Sequence, residues 1–219
     1  MCRLFVQEHP LALLVQVVSA RQDGDTDRAV QLLAASKLPF ALATVPIADW
    51  EQELMPWPEP VVSRRPEVGS GAKATLHFVA NQLLPSLLED PRLSKLIPIV
   101  LGGYSLGGLF ALWAACQTDR FHSIAAGSPS IWAGDWPQYA ATHPILARHV
   151  YLSLGDREEH TKNKTMARSA DRLRAEYARL QNQLGESGAT LVWEQGGHFN
   201  DPAGRMVRAF EWCLRALVI

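Results

Sequence analysis

Residues 97–108 read Ile-Pro-Ile-Val-Leu-Gly-Gly-Tyr-Ser-Leu-Gly-Gly, and residues 109–116 that follow are all apolar. A short apolar strand, a glycine-flanked serine and a buried helix together are typical of a nucleophile elbow. Gly103 and Gly107 carry no Cβ at the point where the strand and the helix converge. The stretch therefore predicts that Ser105 is held in a tight turn as a nucleophile, with the backbone N–H of Leu106 facing a developing oxyanion.

The rest of the chain alternates short apolar runs with longer amphipathic segments. The apolar runs that predict strands are residues 11–18, 40–45, 97–102, 123–126, 149–154 and 190–194. They are apolar throughout rather than alternating, as in parallel strands that are covered on both faces. The sequence therefore predicts a single α/β domain over residues 1–219 with the α/β-hydrolase fold: a compact, mostly parallel sheet of about six strands with helices on both faces.

One segment breaks this rhythm. Residues 47–71 contain Trp50 and Trp57 together with several prolines, and they are too long for a simple connection. Long loops of this kind often form the rim of a functional site. We expect residues 47–71 to be a Trp- and Pro-rich loop near the active site.

His198 has the position in the chain that a general base would need. It lies just after the run 190–194, and in this fold the histidine follows the nucleophile and the acid in chain order. An imidazole can take up and return a proton near neutral pH. The sequence predicts that His198 activates Ser105.

The acid that would orient His198 is expected in the loop after the run 149–154. Three carboxylates lie there, and the third position after Gly155 selects Glu158, with Asp156 as the second choice and Glu159 as the third. A second oxyanion donor normally comes from the loop after the third strand of the fold, which here selects residues 19–21 and among them Ala20.

Composition excludes some classes of protein. Lys and Arg number 21 against 22 Asp and Glu, so no basic excess points to nucleic acid. The three cysteines form neither a pair nor a metal-ligand cluster, which fits a reducing compartment. The eight apolar residues 11–18 are too few to span a bilayer, and we interpret them as a strand rather than as part of a signal peptide. We expect a cytoplasmic protein without a membrane or nucleic-acid partner; its oligomeric state is not readable from the sequence.

Four motifs carry a resemblance to a known group. They are Gly-Gly-Tyr-Ser-Leu-Gly-Gly-Leu-Phe-Ala-Leu-Trp at 102–113, Ala-Gly-Ser-Pro-Ser-Ile-Trp at 126–132, Leu-Ser-Leu-Gly-Asp-Arg-Glu-Glu-His-Thr-Lys-Asn at 152–163 and Gly-Gly-His-Phe-Asn at 196–200. With them the chain resembles the esterase branch of the α/β-hydrolases that contains esterase D-like enzymes and siderophore esterases. The resemblance implies hydrolysis of a small-molecule ester or thioester through an acyl-enzyme, with no cofactor and no metal.

The resemblance also leaves points open. Some siderophore esterases work with a Ser–His dyad, so the chain could lack a catalytic acid. The large N-terminal portion with which those enzymes grip a siderophore is missing, which argues against a siderophore substrate. Tyr104, Trp132 and Trp57 are the expected substrate-binding residues, with Trp136 and Trp50 as further walls, because aromatic side chains bury apolar area efficiently. The alternative is that these tryptophans pack the core. An acyltransferase with the same machinery, or a binding protein on a hydrolase scaffold, are the alternatives.

Overall fold

A computed structural model describes residues 2–20, 24–58, 69–134, 136–161, 164 and 166–218. The strands are β1 (Arg3–Val6), β2 (Leu13–Ser19), β3 (Ala41–Ile47), β4 (Ile99–Tyr104), β5 (Ser123–Gly127), β6 (His149–Gly155) and β7 (Ala189–Glu194). The helices are α1 (Gly24–Ala35), α2 (Trp50–Leu54), α3 (Ala72–Phe78), α4 (Leu84–Leu87), α5 (Leu106–Gln117), α6 (Trp136–Thr142), α7 (Ser169–Leu184) and α8 (Pro202–Arg215). A π-helical turn, Val79–Leu83, joins α3 to α4.

All seven strands form one sheet in the order β1-β3-β2-β4-β5-β6-β7. Strands β2 to β7 run parallel to one another, whereas β1 pairs with β3 in the antiparallel direction. The chain runs outward from β2 to β3 and returns to β4 on the other side of β2. This reversal leaves a crevice beyond the carboxyl ends of β2 and β4, where open α/β sheets bind their ligands.

The α/β-hydrolase architecture is confirmed, but the predicted strand count is one too low. Each of the six expected strands is present, with ends that lie within two residues of the predicted ones. The additional strand is β1, whose four residues alternate between exposed and partly buried positions at the edge of the sheet. So short a segment does not carry the continuous apolar run that identifies the other six strands.

The sheet is covered on both faces. Helices α1 and α8 pack with Leu14, Leu42 and Val100 on one face, and α3, α5 and α7 pack with Leu13, Val15 and Leu101 on the other. Every residue of α5 from Leu106 to Ala115 is buried. This helix is therefore held rigidly from all sides, and the turn that precedes it is fixed with it.

The segment expected to be a loop over residues 47–71 is in part regular. Strand β3 extends to Ile47, and α2 begins at Trp50, where the Asp49 carboxylate caps the helix by accepting from the Gln52 N–H at 3.1 Å. Residues 59–68 of this segment lie outside the described residues. In the part of the chain that the structure describes, no helix is both long enough and apolar enough to cross a membrane.

Candidate active site

Ser105 stands at the turn between β4 and α5 in a strained backbone conformation. Its φ of 59° and ψ of −120° lie in a region that L-residues with a side chain rarely occupy. The Ser105 N–H donates to the Gly127 carbonyl at 2.9 Å, and the Ser105 carbonyl accepts from the Gly108 and Leu109 N–H groups. A Cβ on Gly103 would come within 2.4 Å of the Gly107 carbonyl carbon, so glycine is required there. The elbow predicted from residues 97–108 is present.

The predicted side chains of Ser105, His198 and Glu158 lie in a continuous row. The Ser105 Oγ is 3.1 Å from the His198 Nε2, and the His198 Nδ1 is 2.7 Å from the Glu158 Oε2. Both distances fit hydrogen bonds. The arrangement can move a proton from the serine hydroxyl to the imidazole while the carboxylate holds the ring in the matching tautomer.

The other two carboxylates of the loop after β6 point elsewhere. The Asp156 Oδ1 accepts from the Gly196 N–H at 2.8 Å, and the Glu159 carboxylate lies 3.8 Å from the Arg174 guanidinium. Among the three candidates, the structure brings Glu158 to His198.

The second oxygen of Glu158 is surrounded by donors. The Glu158 Oε1 accepts from the Ser128 hydroxyl at 2.7 Å, the Gly155 N–H at 2.8 Å and the Arg205 guanidinium at 3.0 Å. Burial by itself would raise the pKa of Glu158, but the hydrogen bond and charge of His198 and the bonds from Ser128 and Gly155 outweigh it and hold this pKa below its ordinary value. The carboxylate is therefore ionised at neutral pH.

The loop that carries His198 is held in place by hydrogen bonds to its backbone. Gly196 has a φ of 101°, and the Gly197 N–H donates to the Asn200 Oδ1 at 2.7 Å. The Tyr104 hydroxyl donates to the His198 carbonyl at 2.7 Å, while the Tyr104 ring lies 5.3 Å from the imidazole. Tyr104, which precedes the nucleophile in the chain, thus positions His198 through both its hydroxyl and its ring.

The two expected oxyanion donors differ in how their N–H groups are used. The Leu106 N–H belongs to the first turn of α5, where helix N–H groups have no acceptor within the helix. The Ala20 N–H, in contrast, donates to the Ile47 carbonyl at 3.0 Å and continues the ladder between β2 and β3. Because this donor is already used by the sheet, the assignment of Ala20 is wrong.

A cavity of about 440 Å³ opens beside Ser105 and His198. Its other lining residues are Gln16, Val17, Val18, Ser19, Thr26, Ala29, Trp50, Tyr104, Phe199, Pro202, Ala203 and Met206. Most of this wall is apolar, and the exposed ring of Phe199 stands at its rim. The cavity lies at the crevice between β2 and β4.

Two of the expected substrate-binding aromatics are not in the lining of this cavity. The Trp57 ring packs on Tyr139 with 5.6 Å between centroids, and Trp132 packs against the core while its carbonyl accepts from Arg172 at 2.6 Å. Trp50 provides an aromatic wall in their place, and Tyr104 lines the cavity as expected. Trp57 and Trp132 therefore do not line this cavity, and their packing fits the alternative that they belong to the core.

Three polar residues of the site were missed. Ser128 donates to Glu158, and the Ser130 Oγ lies 3.2 Å from the Ser105 Oγ. Both serines follow β5 next to the elbow strand, a position from which they could have been found. Arg205 gives no such signal, because helical spacing places it on the side of α8 opposite to Val207 and Phe210.

Known structures resemble this one at low sequence identity. A siderophore hydrolase, EstA, from Aspergillus nidulans has a TM-score of 0.75 and 19% identity, with 94% of this chain and 83% of that chain covered. An IroE-like serine hydrolase from Shewanella oneidensis has a TM-score of 0.71 and 16% identity, with coverage of 98% and 74%. The enterochelin esterase of Shigella flexneri has a TM-score of 0.69 and 17% identity, with coverage of 97% of this chain and 54% of that chain.

A comparison with curated proteins gave no match. The family comparison is more informative, because residues 9–199 match the family described as Putative esterase. This match covers most of the chain and includes all four motifs that carried the resemblance, apart from the last residue of the fourth. The chain therefore belongs to the Putative esterase family and is a carboxylic ester hydrolase of the α/β-hydrolase fold.

Proposed function

We propose that the protein hydrolyses carboxylic esters through an acyl-enzyme on Ser105, with His198 as general base and Glu158 as the acid that orients it. The observation that carries this proposal is the unbroken row of hydrogen-bond distances from the Ser105 Oγ through both ring nitrogens of His198 to Glu158. A serine hydroxyl is a weak nucleophile unless a neighbouring base removes its proton, and the row supplies that base.

In the first half of the reaction the Ser105 Oγ attacks the ester carbonyl while its proton passes to the His198 Nε2. The tetrahedral oxyanion accepts a hydrogen bond from the Leu106 N–H, and the Glu158 carboxylate stabilises the imidazolium that has formed. The bond to the alcohol then breaks, and His198 returns the proton to the leaving oxygen. Water repeats the sequence on the acyl-enzyme, which releases the acid and restores Ser105.

The cavity beside Ser105 supports an ester with an apolar portion. Val17, Trp50, Ala29 and Met206 offer apolar surface to that portion, and its burial drives binding. We expect small, uncharged acyl or alcohol groups to be preferred. An acyltransferase would use the same row of residues, and product partition between water and an added alcohol distinguishes it from a hydrolase.

The cytoplasm is the proposed site of action. None of the three cysteines is in a disulfide, and the most buried one, Cys213, packs inside the core. Free thiols of this kind are typical of a reducing compartment. Alkylation of thiols in intact cells before lysis tests this, since all three cysteines should be recovered in alkylated form, as expected for reduced thiols.

The nucleophile is tested with a fluorophosphonate probe, in which the Ser105 oxygen replaces fluoride on phosphorus. We expect the wild-type protein to carry one adduct on Ser105 by mass spectrometry and Ser105→Ala to carry none. Turnover of p-nitrophenyl butyrate should fall by about 10⁵-fold or more in Ser105→Ala. Ser130→Ala is the matched control, because it removes the neighbouring hydroxyl and should still be labelled on Ser105. A Ser105→Ala protein that is folded by circular dichroism and hydrolyses at the wild-type rate would refute the assignment.

A further inference from the structure

Arg205 is a buried charged residue next to the active site. It lies in the first turn of α8 and only 1% of its surface is exposed. Buried charges are costly unless they are paired and hydrogen-bonded, so a buried guanidinium with an elaborate set of partners needs an explanation.

The partners of Arg205 are parts of the candidate active site. The Nη1 group donates to the Glu158 Oε1 at 3.0 Å, the Ser128 Oγ at 3.1 Å and the Tyr104 hydroxyl at 2.9 Å. One nitrogen thus contacts the acid, the serine that also donates to that acid, and the tyrosine beside the nucleophile.

The other nitrogen contacts the loop that carries His198. The Nη2 group donates to the Gln195 carbonyl at 3.2 Å and to the Gly197 carbonyl at 3.0 Å. These two carbonyls lie on either side of Gly196, immediately before the histidine. The planar fork of a guanidinium can reach both sets of acceptors at once, which the single ammonium group of a lysine cannot do.

We propose that Arg205 is a positioning residue that locks the His198 loop to Glu158 and so fixes the imidazole between the carboxylate and Ser105. This inference rests on the proposed function of Ser105 and His198. Arg205 itself does not contact the reacting atoms. It acts by joining the two loops, after β6 and after β7, whose side chains must meet for proton transfer.

A second arginine on the same helix provides a matched control. Arg208 lies one turn further along α8 and makes two bonds to the Glu194 carboxylate, at 3.0 and 2.9 Å. Glu194 is also buried, but neither residue contacts the row from Ser105 to Glu158. Arg208 also lies 3.6 Å from the carboxylate of Asp201, which caps α8 at the end of the His198 loop. Replacing Arg208 with methionine therefore removes an arginine–carboxylate pair from the same helix and leaves the bonds of Arg205, Glu158 and His198 in place.

The experiment compares Arg205→Met, Arg205→Lys and Arg208→Met with the wild-type protein. Three quantities are measured: thermal unfolding, the pH dependence of the rate of fluorophosphonate labelling of Ser105, and kcat and KM for p-nitrophenyl butyrate. We expect Arg205→Met to lower the labelling rate and kcat by about 10²-fold, the effect of misplacing a reacting group by about 1 Å. The KM should change little, because Arg205 is not part of the cavity lining.

The pH profile separates positioning from a general loss of stability. The charged groups beside the His198 ring are Glu158 and, behind it, Arg205, while Tyr104 is neutral because burial raises the pKa of its hydroxyl. Arg205→Met removes the charge and the bonds that face Glu158, so we expect the pH profile of its labelling rate to differ from that of the wild type. In Arg205→Lys the charge is kept and the profile should match the wild type, but the rate falls by about tenfold because the fork is lost.

Arg208→Met should lose stability yet keep the wild-type labelling rate and pH profile. The proposal is overturned if Arg205→Met or Arg205→Lys is folded and labels at the wild-type rate. It is also overturned if both are unfolded at a temperature at which Arg208→Met is folded, because Arg205 then serves the fold alone. A wild-type protein that does not react with the probe would refute the proposed function first, and the role of Arg205 with it.

Discussion

At the scale of single residues, three carboxylates follow β6 within four positions, and their surroundings in the folded protein distinguish them. Glu158 is buried against His198 and three donors, whereas Asp156 bonds a loop N–H and Glu159 faces Arg174. An acid that orients the imidazole needs a negative charge, which an amide does not supply. The identity of the acid is therefore open to a direct comparison of isosteric variants.

We expect Glu158→Gln to lower kcat by about 10²- to 10⁴-fold, because the amide can neither stabilise the imidazolium nor enforce the productive tautomer. Asp156→Asn keeps an oxygen for the Gly196 N–H and should stay within about threefold of wild type. Steady-state hydrolysis of p-nitrophenyl butyrate measures both. A larger loss in Asp156→Asn than in Glu158→Gln would transfer the role to Asp156, and wild-type rates in both would indicate a Ser–His dyad.

The residues of the row were open to prediction because each one is marked locally. Ser105 is framed by glycines between a strand and a helix, and His198 and Glu158 each follow a strand. Arg205 lacks such a mark. Its burial results from the loops after β6 and β7, which fold over the start of α8 and cover the polar side of that turn. Periodicity within a helix describes its packing on the sheet but not what covers it from above.

At the scale of the elements, the first turns of helix α8 contact both the catalytic loops and the cavity. Arg205 faces the catalytic loops, while Ala203 and Met206 line the cavity, and Ala29 of α1 faces the same space. The small side chains of Ala29 and Ala203 keep the cavity open. The lining was only partly predictable, because the sequence does not show which way a tryptophan side chain packs: Trp50, at the start of α2, faces the cavity, whereas Trp57 packs on Tyr139.

Filling this space should shorten the acyl groups that the enzyme accepts. We expect Ala203→Leu to raise KM for p-nitrophenyl octanoate by about tenfold and for p-nitrophenyl acetate by less than about twofold, because about three added carbon atoms displace substrate surface worth about 0.8 kcal/mol per buried methylene. The rate of fluorophosphonate labelling serves as the control and should be unchanged, since the row from Ser105 to Glu158 is not altered. An equal rise in KM for both esters would place the acyl group outside the cavity.

At the scale of the whole molecule, the sheet brings together side chains that are far apart in the chain. Ser105, Glu158 and His198 follow β4, β6 and β7, and all three strands end at the same edge because they are parallel. Alternation of strands and helices was sufficient to predict this meeting. It also means that the buried carboxylate belongs to the folded state alone, so its ionisation is linked to global stability.

This linkage predicts how stability depends on pH. The pKa of Glu158 is lower in the folded protein than its ordinary value of 4.5, so between the two values the unfolded chain binds a proton that the native state does not. The contribution of Glu158 to the free energy of unfolding is therefore fully present above the ordinary pKa and is lost as pH falls through the lower folded pKa. Glutamine at this position does not titrate, so Glu158→Gln should lose stability less steeply than wild type when pH is lowered from about 6 to 3.5. Urea unfolding at a series of pH values measures the two slopes, whatever the offset between the proteins at neutral pH. Equal slopes would contradict the prediction, because they would mean that Glu158 has the same pKa in the folded and unfolded chains. Its bonds to His198, Ser128 and Gly155 exist only in the folded chain and should make the two pKa values differ.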